Sequence, residues 1–90
     1  MILNLIVDDS VNLNSSKCKK MRKHILKQLE GKNLDFDKID VFLENYGTYV
    51  TCITAGDKKS AITCEADDSC MNRSVMKCIR DFVGKCHSLV

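Results

Sequence analysis

Six cysteines in a chain of 90 residues without a proline are the feature that most constrains the fold. An even cysteine count in so short a chain is typical of an extracellular domain held together by three disulfides. A core of this size leaves only about 3–5 kcal/mol of net stability, and each disulfide contributes about 2–4 kcal/mol. The count therefore predicts a secreted, extracellular protein whose cysteines are all paired: Cys18, Cys52, Cys64, Cys70, Cys78 and Cys86.

The spacing of the last three cysteines restricts how they can pair. Cys70, Cys78 and Cys86 are eight residues apart, which is about 12 Å along the axis if residues 70–86 form one helix. A disulfide needs Cα atoms within roughly 7 Å, so these three cannot pair with one another. Each must pair with a cysteine from the rest of the chain, in an order that the spacing leaves open: Cys18, Cys52 or Cys64.

Hydrophobic periodicity predicts two clear helices. Apolar side chains recur at helical spacing from Lys17 to Glu30, after a predicted N-cap at Ser15-Ser16 and before a stop at Gly31. A second apolar stripe runs through residues 70–86, with acidic residues before its start and basic residues near its end, as the helix dipole favours.

The middle of the chain gives weaker signals. A helix capped by Asp35 and ending at Gly47 is predicted from the spacing of its apolar side chains. Residues 48–54 are rich in β-branched side chains but keep helical spacing, so we favour helix or irregular structure there. A turn at Gly56-Asp57 and a short helix at 61–64 follow. Together these signals predict an all-α, mainly helical, disulfide-rich single domain over residues 1–90, with three to four short helices.

No motif for catalysis, cofactor binding or metal binding is present in the sequence. The histidines His24 and His87 have no neighbouring nucleophile or carboxylate in a recognisable motif. Five, seven and seven residues separate the last four cysteines, whereas structural zinc sites use ligand pairs two to four residues apart. We therefore expect no enzyme activity, no cofactor and no metal.

Charge is segregated along the chain. Residues 17–32 contain seven basic side chains and one acidic side chain, whereas residues 35–44 are predominantly acidic. A focused positive stripe on the first helix can steer an acidic partner. The predicted partner-binding residues are Lys19, Lys20, Arg22, Lys23 and Lys27.

This stripe favours a non-enzymatic, monomeric protein that binds an acidic protein surface. A pI near 8.2 and the lack of a binding motif argue against nucleic acid, and no stretch is long enough to span a membrane. Two alternatives stay open. One is an extracellular carrier of a small hydrophobic ligand in a cavity between the apolar stripes, and the other is an intracellular metal or nucleic-acid module.

Two partial resemblances accompany these expectations. The segment from Cys78 to Cys86 resembles the closing cysteine spacing of insect odorant-binding proteins, although their pair of cysteines with three residues between them is missing. The basic helix, the six cysteines and the absence of catalytic groups are similar to small salivary proteins of blood-feeding insects, including the anticomplement type of sand flies. That resemblance implies a secreted inhibitor of host plasma defence proteins such as complement.

Overall fold

The computed structural model describes residues 2–34, 36–56 and 61–88, which form one sheet and two helices. The strands lie in the order β1-β2-β3-β4; β1 and β2 are parallel, and the other neighbouring pairs are antiparallel. The fold is therefore α/β with a mixed sheet, and the all-α prediction is wrong. In chain order the elements are β1 (Ile2–Val7), α1 (Ser15–Leu29), β2 (Lys38–Asn45), β3 (Tyr49–Ala55), β4 (Ile62–Asp68) and α2 (Met71–Ser88).

Helix α1 confirms the first predicted helix. Its N-cap is Asn14, whose side-chain oxygen accepts a hydrogen bond from the backbone N–H of Lys17 at 2.8 Å. The helix ends at Leu29, two residues before Gly31, which adopts the left-handed conformation common after a helix end (φ 76°). Because α1 joins two parallel strands, it crosses one face of the sheet and buries its apolar stripe there.

The segment predicted as a second helix is instead the strand β2. Ile39, Val41 and Leu43 alternate along it and are fully buried, which is the two-residue period of a strand with one covered face. Gly47 does not stop a helix: with φ 86° it lies in the turn between β2 and β3. Asp35, predicted to cap that helix, lies outside the described residues.

The two following segments are also strands. Residues 48–54, for which helix or irregular structure was favoured, fall largely in β3, and the short helix predicted at 61–64 falls in β4. Each strand pairs along its whole length with its neighbour, so the β-branched residues occupy the extended conformation they favour. The turn predicted at Gly56-Asp57 lies partly outside the described residues, since Asp57 is not among them.

Helix α2 confirms the C-terminal helix and lies on the same face of the sheet as α1. Just before its start, the side chain of Asp68 accepts the backbone N–H of Cys70 at 2.8 Å. A buried polar contact ties it to the sheet, because the hydroxyls of Ser74 and Thr51 lie 2.8 Å apart. Ser74 also donates to the carbonyl of Ala66, which leaves neither buried hydroxyl without a partner.

The six cysteines are free thiols, so the predicted disulfide framework is wrong: Cys18, Cys52, Cys64, Cys70, Cys78 and Cys86 are all unpaired. Cys64 and Cys78 are core residues packed among apolar side chains. A free cysteine is one of the most frequently buried residue types and packs as a small hydrophobic side chain. The core between sheet and helices, which includes Ile25, Ile39 and Phe82, takes the structural role assigned to the disulfides.

Both helices cover the same face of the sheet, which leaves the opposite face open to solvent. Side chains of alternate strand residues point to this open face, as the partial exposure of Phe42 and Cys52 between buried neighbours indicates. Within the described ranges neither helix is both long enough and apolar enough to cross a membrane.

Candidate nucleic-acid interface

The helical layer concentrates the positive charge of the molecule. Helices α1 and α2 together carry ten of the fourteen basic side chains in the chain and one of its twelve acidic side chains, Asp81. The other eleven acidic residues lie outside the sequence ranges of these two helices. The small net charge of +2 is therefore the average of a basic layer and an acidic remainder.

The basic layer contains a groove between the two helices, which we call the interhelical groove. The first half of α1 lies beside the start of α2 around a hollow of about 380 Å³. A second hollow of about 530 Å³ lies between the end of α1 and the middle of α2. Polar and basic residues that line the two hollows are Lys17, Lys20, His24, Gln28, Lys32, Asn72, Arg73, Lys77 and Arg80.

The floor of the groove is apolar. Met21 lies at its first hollow, while Ile79 and the partly exposed Met76 lie at its second. Flexible cationic side chains above an apolar floor can contact phosphate oxygens while their aliphatic stems cover the floor. The groove thus offers a run of positive charge on both walls, which suits an extended polyanion better than a single small anion.

The structure divides the residues predicted to bind a partner into three groups. Lys20 lines the interhelical groove. Arg22 reaches the outer edge of the sheet, where its Nε donates to the carbonyl of Leu3 in β1 at 3.0 Å. The remaining three are exposed on α1 and do not line either hollow: Lys19, Lys23 and Lys27.

Sequence reasoning missed the wall contributed by α2. Arg73, Lys77 and Arg80 are about 50 residues from the basic stretch of α1, and only the packing of both helices on one sheet face brings the two groups together. Their helical spacing, three and four residues apart, was the available signal that they share one face.

Asp68 orients part of that wall. It forms both ion pairs found within the described residues, with Arg73 at 3.1 Å and with Lys77 at 2.9 Å. The backbone N–H of Cys70, followed by the hydrogen bond from Lys77, lowers the pKa of Asp68 to about 2. The carboxylate is therefore charged at neutral pH and holds the two cations beside the start of α2.

The thiols and histidines do not assemble a reactive site in the part of the chain that is described. Burial raises the pKa of the Cys78 thiol to about 12, which makes it a poor nucleophile. His87 lies at the end of α2, with Nε2 2.7 Å from the carbonyl oxygen of Lys32. No cluster of three or more metal-binding side chains occurs among residues 2–34, 36–56 and 61–88.

The order of strands and helices defines a known fold. The ribosomal subunit interface protein from Coxiella burnetii matches 99% of this chain and 97% of its own, with a TM-score of 0.77 at 10% sequence identity. The Thermus thermophilus Protein Y N-terminal domain matches over 100% of both chains, with a TM-score of 0.78 at 12% identity. No family model and no curated protein matches the sequence.

These likenesses correct the predictions of identity, function and location. Neither the odorant-binding proteins nor the salivary inhibitors are supported, because both resemblances assumed a helical, disulfide-bonded framework, whereas the chain has a mixed sheet and free thiols. The same findings overturn a secreted complement-type inhibitor, a secreted carrier and an extracellular location. The prediction of an acidic protein partner and no nucleic acid is also wrong. It relied on the pI of the whole chain, which averages the charge of a basic and an acidic layer.

Proposed function

We propose that this chain binds structured RNA of the ribosome through the interhelical groove. The observation that carries the proposal is the charge of the helical layer, which contains ten basic side chains and only one acidic side chain. Contacts to phosphate groups supply most of the affinity of such interfaces, and each contact releases counterions from the nucleic acid. A basic groove between rigid helices holds those contacts in a fixed arrangement.

The comparison with solved structures supports the ribosome as the source of the RNA. One protein with this fold is described as a ribosomal subunit interface protein, and it aligns with nearly the whole chain. The proposal places the protein inside the cell, and the six free thiols suit a reducing compartment. The first of the predicted binding residues to test is Lys20, since it lines the groove.

We infer that the protein acts by binding and not by catalysis. The two similar structures are described as an interface protein and as a domain of Protein Y, neither of which is an enzyme name. Burial of the Cys78 thiol and the absence of a nucleophile–base motif in the sequence support the same conclusion. Occupancy of an RNA surface is therefore the proposed activity.

The test compares RNA binding by variants in which basic side chains are replaced by glutamate. In Lys20→Glu/Arg80→Glu the charge is reversed on both walls of the groove, and we expect binding of a labelled RNA hairpin to weaken about tenfold or more. In the same variant, the slope of log affinity against log salt concentration should fall by about two, which is about one for each lost phosphate contact. Fluorescence anisotropy at several salt concentrations measures both quantities, and co-sedimentation with purified ribosomes tests the source of the RNA.

The control is Lys38→Glu, which reverses one exposed charge on the open face of the sheet. It should leave RNA affinity within about twofold of the original, because the groove is untouched. Equal weakening by Lys38→Glu and by either single groove substitution would contradict the proposed interface, as would an affinity for RNA that does not change with salt. Binding to RNA hairpins without co-sedimentation would reject the ribosome as the target.

A further inference from the structure

The open face of the sheet carries an apolar surface that the helices do not cover. Ile6 in β1 is 45% exposed, and Ile2 at the start of the same strand is 61% exposed. Tyr46, in the turn after β2, is 72% exposed. Isolated exposed apolar residues are ordinary, but these share one side of the sheet, and contiguous apolar surface of this kind marks interaction sites.

The strand register joins these residues into a row. Ile6 lies beside Phe42, and Phe42 lies beside Cys52, so three side chains cross the middle of three strands. Next to this row is a hollow of about 310 Å³. Its lining residues are Phe42, Glu44, Tyr46, Val50, Cys52 and Glu65.

Carboxylates surround the apolar row. Glu44 and Glu65 lie at the hollow, and Asp67 pairs across the strands with Val50 on the same side of the sheet. Asp40 lies two residues before Phe42 in β2, on the same face, and its Oδ1 accepts a hydrogen bond from the side chain of Asn4 at 3.0 Å. Lys38, at the start of β2, is the one basic residue that the described strands place on this face.

We propose that the open face docks a basic protein segment that inserts an apolar side chain beside Phe42. An acidic rim attracts lysine and arginine, and the apolar hollow accepts a side chain between them, so the surface matches a partner of both properties. RNA does not suit this face, because its phosphates would meet four carboxylates. An interaction with such a segment is additional to the proposed RNA binding, since the two surfaces lie on opposite sides of the sheet.

The test uses the intact chain labelled with ¹⁵N and three synthetic ten-residue peptides. The first peptide alternates lysine with leucine, the second lysine with serine, and the third glutamate with leucine. We expect the lysine–leucine peptide to bind most tightly and to shift the amide signals of β2 and β3 around Phe42 and Cys52.

Variants separate the rim from the rest of the molecule. Glu44→Gln/Glu65→Gln should weaken the lysine–leucine peptide roughly fivefold, since exposed charge pairs contribute little individually. Glu30→Gln/Asp81→Asn removes two exposed carboxylates elsewhere and should change the affinity by less than twofold. Ile6→Ser, at a partly exposed position, should weaken the same peptide while the fold is retained.

Several results would overturn the proposal. One is peptide-induced shifts confined to α1 and α2, and another is equal weakening by the two double variants. If the lysine–serine peptide bound as tightly as the lysine–leucine peptide, insertion of an apolar side chain into the hollow would be excluded. The chain could instead self-associate through the open face as its concentration rises. If the peptide does not reverse that association, a second copy of the chain and not a basic segment binds this face. Failure of RNA binding leaves all these measurements unchanged, so the two proposals fail separately.

Discussion

The two outer surfaces of this molecule differ in charge although they lie on opposite sides of one sheet. The helical layer is basic almost without exception, whereas the open face of the sheet has an acidic rim around apolar residues. The sheet separates them, so each surface presents a field of one sign to its surroundings. A net charge of +2 describes neither surface. The pI of a whole chain is therefore a poor guide to its partners when basic and acidic residues lie on different layers of the fold.

The sheet also separates a side that stabilises the fold from a side that is free to bind. Ile39 and Val41 point to the helices and are fully buried, while Phe42 between Val41 and Leu43 is only partly covered. The largest difference between the two sides is expected in thiol reactivity, because Cys52 lies on the open side and Cys78 lies in the core.

Alkylation of the native chain without a reducing agent should modify Cys52 well before Cys78. Burial raises the pKa of Cys78 to about 12, which lowers its thiolate fraction roughly a thousandfold relative to an ordinary thiol. Mass spectrometry of iodoacetamide-treated protein measures the order. Six thiols should react once the chain is unfolded. Fewer reactive thiols, or equal native rates for Cys52 and Cys78, would contradict the free thiols and the burial of Cys78.

A matched pair of isoleucine truncations compares the two sides by stability. Ile39→Ala removes a fully buried side chain beneath the helices and should lower the free energy of unfolding by about 2–5 kcal/mol. Ile6→Ala, at a position 45% exposed on the open side, should cost less than about 1 kcal/mol. Urea unfolding followed by circular dichroism measures both, and similar costs would show that the open face also supports the fold.

The buried hydroxyl pair tests how the helical layer is attached to the sheet. Ser74→Ala should cost about 1–3 kcal/mol, because it leaves the hydroxyl of Thr51 buried without its partner. The double variant Thr51→Val/Ser74→Ala should recover part of that loss, since no polar group is then left unsatisfied. Additive losses in the same unfolding assay would rule out a coupled pair.

The smallest expected effect concerns acid stability at the start of α2. The pKa of Asp68 is lowered to about 2, below the unfolded value of about 3.9, so its stabilising contribution is complete above pH 4. That contribution is lost as the pH falls from about 4 to about 2. Asp68→Asn should therefore flatten the decline of unfolding midpoint over this range, whereas the exposed neighbour Asp67→Asn should leave it steep.

The helices were predictable and the sheet was hidden by particular residues. In α1 and α2 the buried apolar residues lie on one face of each helix, so the helical period is clear. In β2 the buried residues Ile39, Val41 and Leu43 alternate, but Phe42 on the open face adds a fourth apolar side chain that completes a helical spacing. The apolar side chain of Phe42 on the open face therefore made the strand sequence resemble that of an amphipathic helix.

The cysteines and the groove were misjudged for different reasons. Counting thiols cannot distinguish a disulfide from a small core residue, and Cys64 and Cys78 have the second role. The α1 wall of the groove was visible as a basic stretch, and Lys20 belongs to both the predicted set and the groove. Arg73 and Arg80 joined it only through tertiary packing, which no local pattern records.

Adding a structured RNA hairpin to the ¹⁵N-labelled chain and mapping the amide signals that shift would locate the RNA-binding surface. We expect the shifts to cluster along the interhelical groove, around Lys20, Asn72 and Arg80, and to leave the signals of the open-face residues Phe42 and Cys52 unchanged. Shifts centred on the open face, or no shifts at low salt, would contradict RNA binding in the groove.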